Sequence, residues 1–500
     1  MSVHSWNIRS GCRPMKLRAS VWHGPSRSAM GQMTTEHGRP TKPGRRRRWL
    51  TGAAVLVVAA VTVTLAMTWW LPAYRLSAAR EAWQPPPGAG LSEAMREKPV
   101  PGWRISVTDL GLPRTAESRL AVGNQRIDPN PFVGSVDERA YFLADSGAGD
   151  ERQWWLAGVD VHSGRPLFSA VSLGSDAHIP ECFLNGPTHL LCLSGFSGRA
   201  LVIDGRSGSV DYNGPTDLQS NFGVLSVRQF GIYAVATEQN QGVFGIGPRA
   251  ETTWFVPGNG SLRGGDRRPS AQSVQTLTAQ LEANPRTYIS TVFSVADGRV
   301  VEPAIDEGYT LGKTAFYPGG FSAEIDDPEG RSAGIGFFDA SGNLLGTYDG
   351  IAALPDRSFD LPVISPALVD EKIVYSAEGQ KLLVTRDGAL ALVGTTLMVN
   401  MTSSQEFPEW QQYNMRDGSA GPVCNFPMDD YVGHHDSTLV FEFSYVRGEV
   451  LLAARDLNSC ERLWTIPKGP DSLDRIWRVD GTLVQLTNEG TELRSLVSPN

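Results

Sequence analysis

A hairpin pattern that returns at nearly constant spacing is the feature that most constrains the fold. Each copy reads as a strand, a turn that contains Asp and usually Gly, and a second strand. The clearest copies are residues 158–168, 201–212, 291–303 and 336–348, and weaker copies are 381–393, 411–423 and 451–464. The Asp carboxylate accepts hydrogen bonds from backbone N–H groups two residues on, and Gly adopts the positive φ that closes the turn.

The spacing of the turn glycines predicts a repeating unit of about 45 residues. These glycines are Gly164, Gly208, Gly298, Gly342, Gly388 and Gly418, separated by 44, 90, 44, 46 and 30 residues. Because 90 is twice 45, we expect a degenerate unit between the second and third, and residues 242–256 supply its two strands. Such a period with several strands per unit is typical of a β-propeller. A pair of β-sandwiches also has short strands, but it does not require a hairpin to return at this interval.

We therefore predict an all-β fold, a propeller of eight blades, with seven as the alternative. The 30-residue interval is too short for four strands, and the last segment of the chain ends without an outer strand. Residues 102–111 near the start of the repeats provide a strand that can complete the last blade. Pairing the two ends of the chain in this way removes exposed sheet edges.

A single transmembrane α-helix is predicted at residues 49–71, which are 23 uncharged residues directly after Arg45–Arg48. About 20 apolar residues in a helix span a hydrocarbon core of ~30 Å. Residues 1–48 contain eleven Lys or Arg and one acidic residue, which places the amino terminus in the cytoplasm by the positive-inside rule. The alternative is a signal peptide cleaved near Ser77–Ala79, although the apolar run exceeds the usual ~7 to 15 residues.

Four regions follow from these assignments. Residues 1–48 form a disordered basic cytoplasmic tail, 49–71 the transmembrane helix, 72–101 a helical extension and Pro-rich stalk, and 102–500 an extracytoplasmic β-propeller. The net charge is -8 for the whole chain and +10 for residues 1–48, which leaves -18 for the rest. This acidic exterior argues against a nucleic-acid partner, since such partners require clustered Lys and Arg.

Four cysteines on the predicted outer side, Cys182, Cys192, Cys424 and Cys460, are consistent with disulfides in an oxidising compartment. Three pairings are possible. We favour Cys182 with Cys192, because the residues between them read as two short strands around an Asn-Gly-Pro turn, and Cys424 with Cys460 then follows. Four buried free thiols are the alternative.

The Asp-x-x-Ser/Thr-Gly-x-x-x-aromatic hairpin, clearest in residues 160–168 and weaker in 456–464, resembles the repeat of pyrroloquinoline-quinone (PQQ) type, or quinoprotein-like, propellers. The resemblance covers roughly residues 130–500. Some members of that family are dehydrogenases that hold the quinone and a calcium ion, whereas others are noncatalytic, including the propeller lipoprotein of the outer-membrane assembly machine. The dehydrogenases are similar to one another in a disulfide between adjacent cysteines, and this chain has no adjacent cysteines. The resemblance therefore implies a noncatalytic, membrane-anchored member, and we expect neither PQQ nor calcium to bind.

Candidate site residues are few. His434, His435 and Asp436 offer imidazole and carboxylate together, but neighbouring residues on a strand point to opposite faces, so a shared metal site requires a loop there. We favour a solvated turn over a metal site. Asp326, Asp327 and Glu329 resemble a calcium loop but lack the alternating ligands of an EF-hand, which favours a solvated hairpin tip.

Trp154, Trp155 and Trp254 are interpreted as packing between blades, since large rings bury much area. No catalytic residues are predicted. The function predicted from these observations is a single-pass, membrane-anchored scaffold in the cell envelope that binds a protein or cell-envelope ligand. The alternative is a quinoprotein-like enzyme with its cofactor in the central channel.

Overall fold

The computed structural model describes residues 71–86, 88–120, 130–175, 179–194, 198–219, 225–263, 276–283, 288–355, 359–402, 408–443, 449–469 and 474–499. Within these ranges no helix has the length and apolarity that a bilayer crossing requires. The predicted membrane span at 49–71 and the predicted tail at 1–48 lie outside them, apart from Leu71.

Among the described residues, one helix, α1 (Leu71–Ala82), precedes the strands. The first strands are β1 (Val100–Ser106), β2 (Arg119–Leu120), β3 (Phe132–Val136), β4 (Arg139–Ser146), β5 (Gln153–Asp160), β6 (Arg165–Pro166), β7 (Val171–Gly174), β8 (Glu181–Asn185), β9 (His189–Ser194), β10 (Arg199–Asp204), β11 (Val210–Pro215) and β12 (Leu218–Gln219). Next come β13 (Leu225–Phe230), β14 (Tyr233–Glu238), β15 (Gly242–Ile246), β16 (Thr252–Pro257), β17 (Leu277–Ala283), β18 (Tyr288–Ser294), β19 (Thr310–Tyr317), β20 (Gly320–Asp326), β21 (Ser332–Asp339), β22 (Leu344–Tyr348), β23 (Ala352–Ala353) and β24 (Val363–Pro366). The last are β25 (Glu371–Tyr375), β26 (Lys381–Arg386), β27 (Leu390–Val393), β28 (Thr396–Asn400), β29 (Glu409–Asn414), β30 (Ala420–Asn425), β31 (Tyr431–His435), β32 (Thr438–Glu442), β33 (Val450–Asp456), β34 (Arg462–Pro467), β35 (Arg475–Val479), β36 (Thr482–Thr487) and β37 (Glu492–Val497).

The described strands form nine sheets, each built mainly from neighbouring antiparallel strands. Most sheets have four or more strands; the sheet of β17 and β18 has two, extended by single bridges at Leu262 and Val300. Successive sheets pack face to face through clusters of buried apolar side chains, such as the rings of Phe132, Phe142 and Trp477. The prediction of an all-β propeller is confirmed, and the described residues contain one sheet more than the eight blades predicted.

The two ends of the propeller sequence meet in one sheet, whose strand order is β1, β37, β36, β35. We call it the closing sheet. Val100 of β1 lies opposite Val497 of β37, and Ile105 lies opposite Leu493. The predicted closure by the first strand is therefore confirmed, although the strand begins slightly earlier than expected. A ring closed in this way leaves no gap between its first and last sheets.

The turn between the third and fourth strands of a sheet has the predicted chemistry. In the turn after β10, the Asp204 carboxylate accepts hydrogen bonds from the backbone N–H groups of Arg206 and Ser207, at 3.0 and 2.7 Å. Gly208 closes the turn with φ +71°. In the turn after β33, Cys460 occupies the corresponding position with φ +62°, a conformation that is costly for a side chain other than Gly.

The turn at Gly388, which the spacing placed within a blade, instead links two sheets. It joins β26, the outer strand of one sheet, to β27, the first strand of the next. The corresponding turn of the first of these sheets lies at Gly379, with φ +73°. Replacing Gly388 by Gly379 changes the intervals of 46 and 30 residues to 37 and 39. The short interval that lowered the predicted number of blades therefore came from counting a connection as a hairpin.

Residues 85–101, expected to form a stalk, lie against the sheets instead. We call residues 83–86 and 88–98 the strap. Leu91 and Met95 of the strap are buried against β33 and β36, and Trp83 is buried with Leu382 of β26. The prolines end helix α1 as predicted, but the apolar side chains that follow are covered by the propeller. A semi-rigid stalk would expose these side chains to water, at a cost of ~1.5–3 kcal/mol for each large one.

The tryptophans interpreted as packing residues all lie between or against sheets. Trp154 is 1% exposed, and Trp155 is partly buried with its indole N–H donating to Ser146 Oγ at 2.9 Å. Trp254 lies against the turn glycine Gly298 and makes an edge contact with Phe293.

Candidate functional site

One face of the propeller carries both the strap and a cavity. Strands alternate in direction within an antiparallel sheet, so the turns after the first and third strands emerge on the same face. The turns after β27, β31, β33 and β35 therefore all belong to this face, which we call the strap face. The strap crosses these turns before the chain enters β1.

The strap pairs with the end of β31 through main-chain hydrogen bonds. Leu91 N donates to His434 O at 2.7 Å, and His434 N donates to Ala89 O at 2.9 Å. Ser92 N then donates to Gly481 O, in the turn after β35, at 2.9 Å. The main chain of the strap thus connects two neighbouring sheets across the strap face.

Side chains fix the strap at its two ends. The Arg416 guanidinium, in the turn after β29, donates to the carbonyl oxygen of Trp83 and lies 5.7 Å from the centroid of its ring. At the other end, Arg96 forms an ion pair of 2.9 Å with the buried carboxylate of Asp456, and Trp464 Nε1 donates to Met95 O at 2.8 Å. Charge-assisted bonds of this kind are stronger than neutral ones.

Helix α1 covers the outer edge of β26. Arg80 Nε donates to Leu382 O of that strand at 2.7 Å, and Arg80 Nη1 donates to Asp417 O at 2.6 Å. Ala79 is buried, whereas Ala73, Tyr74 and most of the first two turns of the helix are exposed. The last turn of α1 therefore protects a sheet edge, as edge strands require.

A cavity of about 420 Å³ opens on the strap face between the sheet of β27–β30 and the sheet of β31–β34. We call it the seam pocket. Its walls combine backbone of two hairpin turns with hydroxyl, imidazole, carboxylate and apolar groups. It is lined by Val393, Gly394, Thr395, Thr396, His434, Asp436, Ser437 and Leu457.

His434 belongs both to the seam pocket and to the strap contact. Its Nδ1 lies 2.6 Å from the hydroxyl of Tyr431, and its Nε2 approaches Gly394 so closely that a Cβ there would lie 3.3 Å away. Burial, followed by the positive charges of Arg478 and His435, lowers the pKa of His434. The imidazole is therefore neutral at neutral pH and acts as one hydrogen-bond donor and one acceptor.

The groups around Tyr431 are held away from water. Burial raises the pKa of the Tyr431 hydroxyl and lowers that of the Arg478 guanidinium, whose Nε donates to Val432 O at 3.1 Å. Burial by the surrounding protein raises the pKa of the Asp360 carboxyl group, in the connection between β23 and β24, although the residue as a whole is exposed. Tyr431 therefore remains a phenol that can donate a hydrogen bond to His434.

The segment with His434, His435 and Asp436 was expected to be a loop, but its histidines end strand β31. The two imidazoles therefore point to opposite sides of the sheet. His434 faces Tyr431, whereas Nδ1 of His435 lies 3.4 Å from the carboxylate of Asp436. Among the described residues, no three His, Cys, Asp or Glu side chains converge as metal ligands.

The acidic side chains in the turn after β20 are paired with an arginine of the same turn. Arg331 Nε donates to Asp327 Oδ2 at 2.8 Å, and Arg331 Nη2 lies 2.9 Å from Glu329 Oε2. The Asp326 carboxyl is largely buried, and burial, together with the charge of Asp327, raises its pKa. The turn is therefore an Asp turn whose carboxylates form ion pairs with Arg331.

Both predicted disulfides are present. Cys182 and Cys192 lie directly opposite each other on β8 and β9. Cys424 of β30 is joined to Cys460 in the turn after β33, with their Cα atoms 5.5 Å apart. The second bond therefore links the two sheets that form the seam pocket.

Sequence reasoning missed Tyr431, Arg478 and the strap. Tyr431 and His434 meet because the pairing of β31 with β32 shifts by one residue between Tyr431 and Gly433. A regular strand would place these two residues on opposite faces. The sequence signal of the strap was a pair of apolar residues, Leu91 and Met95, four positions apart between prolines.

The described residues form nine sheets, and the pairing of β1 with β37 closes them into a ring, which defines the class as a nine-bladed propeller. The chain belongs to the family described as conjugation-associated 9-bladed beta-propeller domains, whose pattern matches residues 75–499. It is also 36% identical, over 481 residues, to a protein of Mycolicibacterium smegmatis (strain MKD8) that is described as uncharacterized, covering 92% of this chain and 98% of the relative.

Solved structures with a similar fold share little sequence with this chain. BamB from Moraxella catarrhalis is 9% identical, with a TM-score of 0.31 over 80% of this chain and 98% of its own. A europium-containing methanol dehydrogenase is 8% identical, with a TM-score of 0.31 over 80% of this chain and 89% of its own. These TM-scores are too low to support a family assignment. The assignment therefore rests on the family pattern and on the mycobacterial relative.

Proposed function

We propose that this protein is a membrane-anchored, extracytoplasmic binding module of a conjugation apparatus. In this proposal residues 49–71 cross the membrane once, the amino terminus is cytoplasmic, and the propeller presents the strap face to a protein or cell-envelope ligand. The description of the family supports the link to conjugation. The apolar run after Arg45–Arg48 supports the anchor.

The observation that carries the proposal is the position of the strap. The chain runs from α1 across the strap face and then enters β1, which closes the ring, so the segment between α1 and β1 is held by ordered contacts. The strap and the turns under it therefore form one ordered surface. A binding module needs such a surface.

A gene-replacement experiment tests the proposal. Donor cells that lack the protein should transfer DNA less often, and the full-length chain should restore transfer. A variant exported as residues 72–500, without the anchor, should not restore it. Unchanged transfer in the deletion strain would contradict the role in conjugation.

Two further measurements test location and chemistry. A carboxyl-terminal alkaline phosphatase fusion should be active, because the propeller is placed outside the membrane, and an inactive fusion would reverse the topology. Titration of the full-length chain with PQQ and calcium, followed by absorbance and calorimetry, should show no saturable binding. Saturable binding of both would contradict the scaffold function and favour a quinoprotein-like enzyme.

A further inference from the structure

The face opposite the strap face carries an exposed apolar patch. Turns after the second and fourth strands of a sheet emerge on this face, which we call the far face. The patch consists of Ile351, in the connection after β22, and Leu368 and Val369, in the turn after β24, and these residues are 74%, 97% and 51% exposed. The two segments are neighbours, because Ala367 N donates to Ile351 O at 2.9 Å. Three apolar side chains from two segments therefore meet at one place on the surface.

The turn after β24 does not need apolar side chains. Turn residues are usually Gly, Asn, Asp, Pro or Ser, whose conformations or hydrogen bonds close the chain, and Leu and Val supply neither. The other exposed large apolar side chains that the structure describes are at most 59% exposed, and most of them lie on outer strands. A contiguous apolar group with a polar rim is typical of an interaction site, whereas scattered exposed residues are ordinary.

The surroundings of the patch are acidic. They are the far-face segments of the sheets of β19–β22 and β23–β26, residues 306–309, 327–331, 349–351, 367–371 and 386–389. Seven exposed acidic and two exposed basic residues lie in these segments: Asp306, Glu307, Glu329, Asp349, Asp370, Glu371 and Asp387, with Arg331 and Arg386. Arg331 is paired with Asp327 and Glu329, and Arg386 lies opposite Glu371 in the pairing of β25 with β26. The basic groups are thus already matched, and an excess of acidic charge remains.

This excess of charge decides which class of partner fits. It repels the phosphates of nucleic acids and of anionic lipids. It also repels a second copy of the chain, which carries -18 beyond residue 48. A protein surface with Lys or Arg around apolar side chains complements both the charge and the apolar centre.

We propose that the far-face patch docks a partner protein through a segment that carries apolar side chains next to Lys or Arg. The apolar side chains cover Ile351, Leu368 and Val369, and the basic groups meet the acidic residues around them, of which Asp349 and Asp370 lie in the same two segments as the patch. This contact is separate from the strap face and does not depend on the proposed role in conjugation. The propeller therefore offers one interaction surface on each of its faces.

Binding of three fluorescent peptides to the full-length chain in phosphatidylcholine nanodiscs tests the inference. The first peptide is Lys-Leu-Lys-Leu-Lys-Leu, the second has Glu in place of Lys, and the third has Ser in place of Leu. After subtraction of the signal from empty nanodiscs, the Lys-Leu peptide should bind at least about tenfold more tightly than either of the others, because it alone matches both the charge and the apolar side chains. Equal affinity for the Lys-Leu peptide and either of the others, or no binding of the Lys-Leu peptide, would overturn the inference.

A double variant and a matched control locate the binding. Ile351→Ser with Leu368→Ser changes side chains that are largely in water, so the chain should fold normally. It should weaken the Lys-Leu peptide about tenfold. Val423→Ser, at a 50% exposed valine on the outer strand β30, should leave the affinity unchanged. Equal weakening by the double variant and the control would place the binding elsewhere and overturn the inference.

The contribution of charge is tested by Asp349→Asn with Asp370→Asn. This variant should weaken the Lys-Leu peptide about threefold, and the difference from the parent should shrink at high salt, because exposed charges are screened. An affinity that changes neither in this variant nor with salt would contradict the basic character of the partner.

A vesicle experiment separates a protein partner from a membrane. The parent and the variant Ile351→Ser with Leu368→Ser, both in nanodiscs, should sediment equally little with phosphatidylcholine vesicles. Sedimentation of the parent alone would assign the patch to a lipid surface and overturn the inference. None of these measurements involves DNA transfer, so this inference and the proposed function can fail independently.

Discussion

The sheet of β19–β22 and the closing sheet are built in opposite ways. The first uses one contiguous stretch, residues 310–348, and is organised by a turn in which the Asp339 carboxylate accepts hydrogen bonds from backbone N–H groups of Ser341 and Asn343. The second joins β1 to β37, nearly 400 positions later in the chain. Local turn chemistry therefore forms the individual blades, whereas contacts between distant residues determine whether the ring holds.

Individual contacts fall into the same two groups, those within one sheet and those between different parts of the ring. Cys182–Cys192 and the Asp turns act within one sheet, whereas Cys424–Cys460, Trp103 and Arg416 connect different parts of the ring. If the contrast is correct, removing a contact of the second group should cost more than removing a matched contact of the first group.

The largest effect is expected for the disulfide between sheets. Cys424→Ala with Cys460→Gly opens a loop of 36 residues and should lower the free energy of unfolding by about 3–4 kcal/mol in the chain-entropy estimate. Glycine at 460 suits the positive φ of that turn and removes the cost that Cys460 carries there, so the measured loss is a lower limit for the missing crosslink. Urea unfolding of the full-length chain measures the change.

The matched control is the double variant Cys182→Ala with Cys192→Ala. Its loop of 10 residues is shorter, so a smaller loss of about 2–3 kcal/mol is expected. A larger loss in the free energy of unfolding for this pair than for Cys424 and Cys460 would contradict the expected difference between the two groups of contacts.

Trp103→Ala should have the next largest effect. The indole of Trp103, on β1, covers the turn glycine Gly164, and its Nε1 donates to Val161 O at 2.7 Å. Loss of the ring from this partly buried site should cost about 2–3 kcal/mol. Trp103→Phe keeps an aromatic ring and removes the hydrogen bond, so it should cost about 1 kcal/mol. Equal losses in both variants would show that the packing of the ring contributes little.

Arg416→Ala should release the start of the strap. It removes the hydrogen bonds to Trp83 O and Gln84 and the stacking on the Trp83 ring, at a cost of about 1–2 kcal/mol. Proteolysis between α1 and β1 should become faster. Arg75→Ala, on the exposed start of α1, is the control and should change neither the free energy of unfolding nor the rate of proteolysis. Equal proteolysis rates for Arg75→Ala and Arg416→Ala would contradict this prediction.

The smallest effect concerns the local Asp turn. The side-chain amide of Asn343, together with backbone N–H groups, holds the pKa of Asp339 below its usual value. This contribution to stability is complete above the unfolded-state pKa of about 3.9 and is lost as the pH falls through the lower folded-state pKa. Asp339→Ala should therefore reduce stability by no more than about 1 kcal/mol at pH 7, and the difference from the parent should vanish in strong acid.

The local part of the fold was open to prediction from sequence because its causes are local. Asp and Gly at fixed offsets determine the turn after β10 whatever surrounds it, and alternating apolar residues determine the strands. The number of sheets was harder, since the Asp-Gly pair at 387–388 has the composition of a hairpin turn. Its position between two sheets depends on which strands pair, and pairing is a property of the whole ring.

The candidate site was harder to predict from sequence, because it too depends on which strands pair. The seam pocket exists because the turns after β27 and β31 become neighbours, and they lie about 40 residues apart in the sequence. The contact of Tyr431 with His434 depends on an irregular pairing in β31. The strap was interpreted as a stalk because prolines and polar residues dominate its composition, while the partners of Leu91 and Met95 lie more than 300 residues away.

Hydrogen exchange of backbone amides in the full-length chain tests most directly whether the ring is closed by its first strand. If β1 is an integral part of the ring, the amides of β37 that pair with it should exchange as slowly as those of β20 and β21, through global unfolding. Exchange of the β37 amides that is much faster than in β20 and β21, at unchanged global stability, would show that the closing sheet opens by itself and would contradict the account.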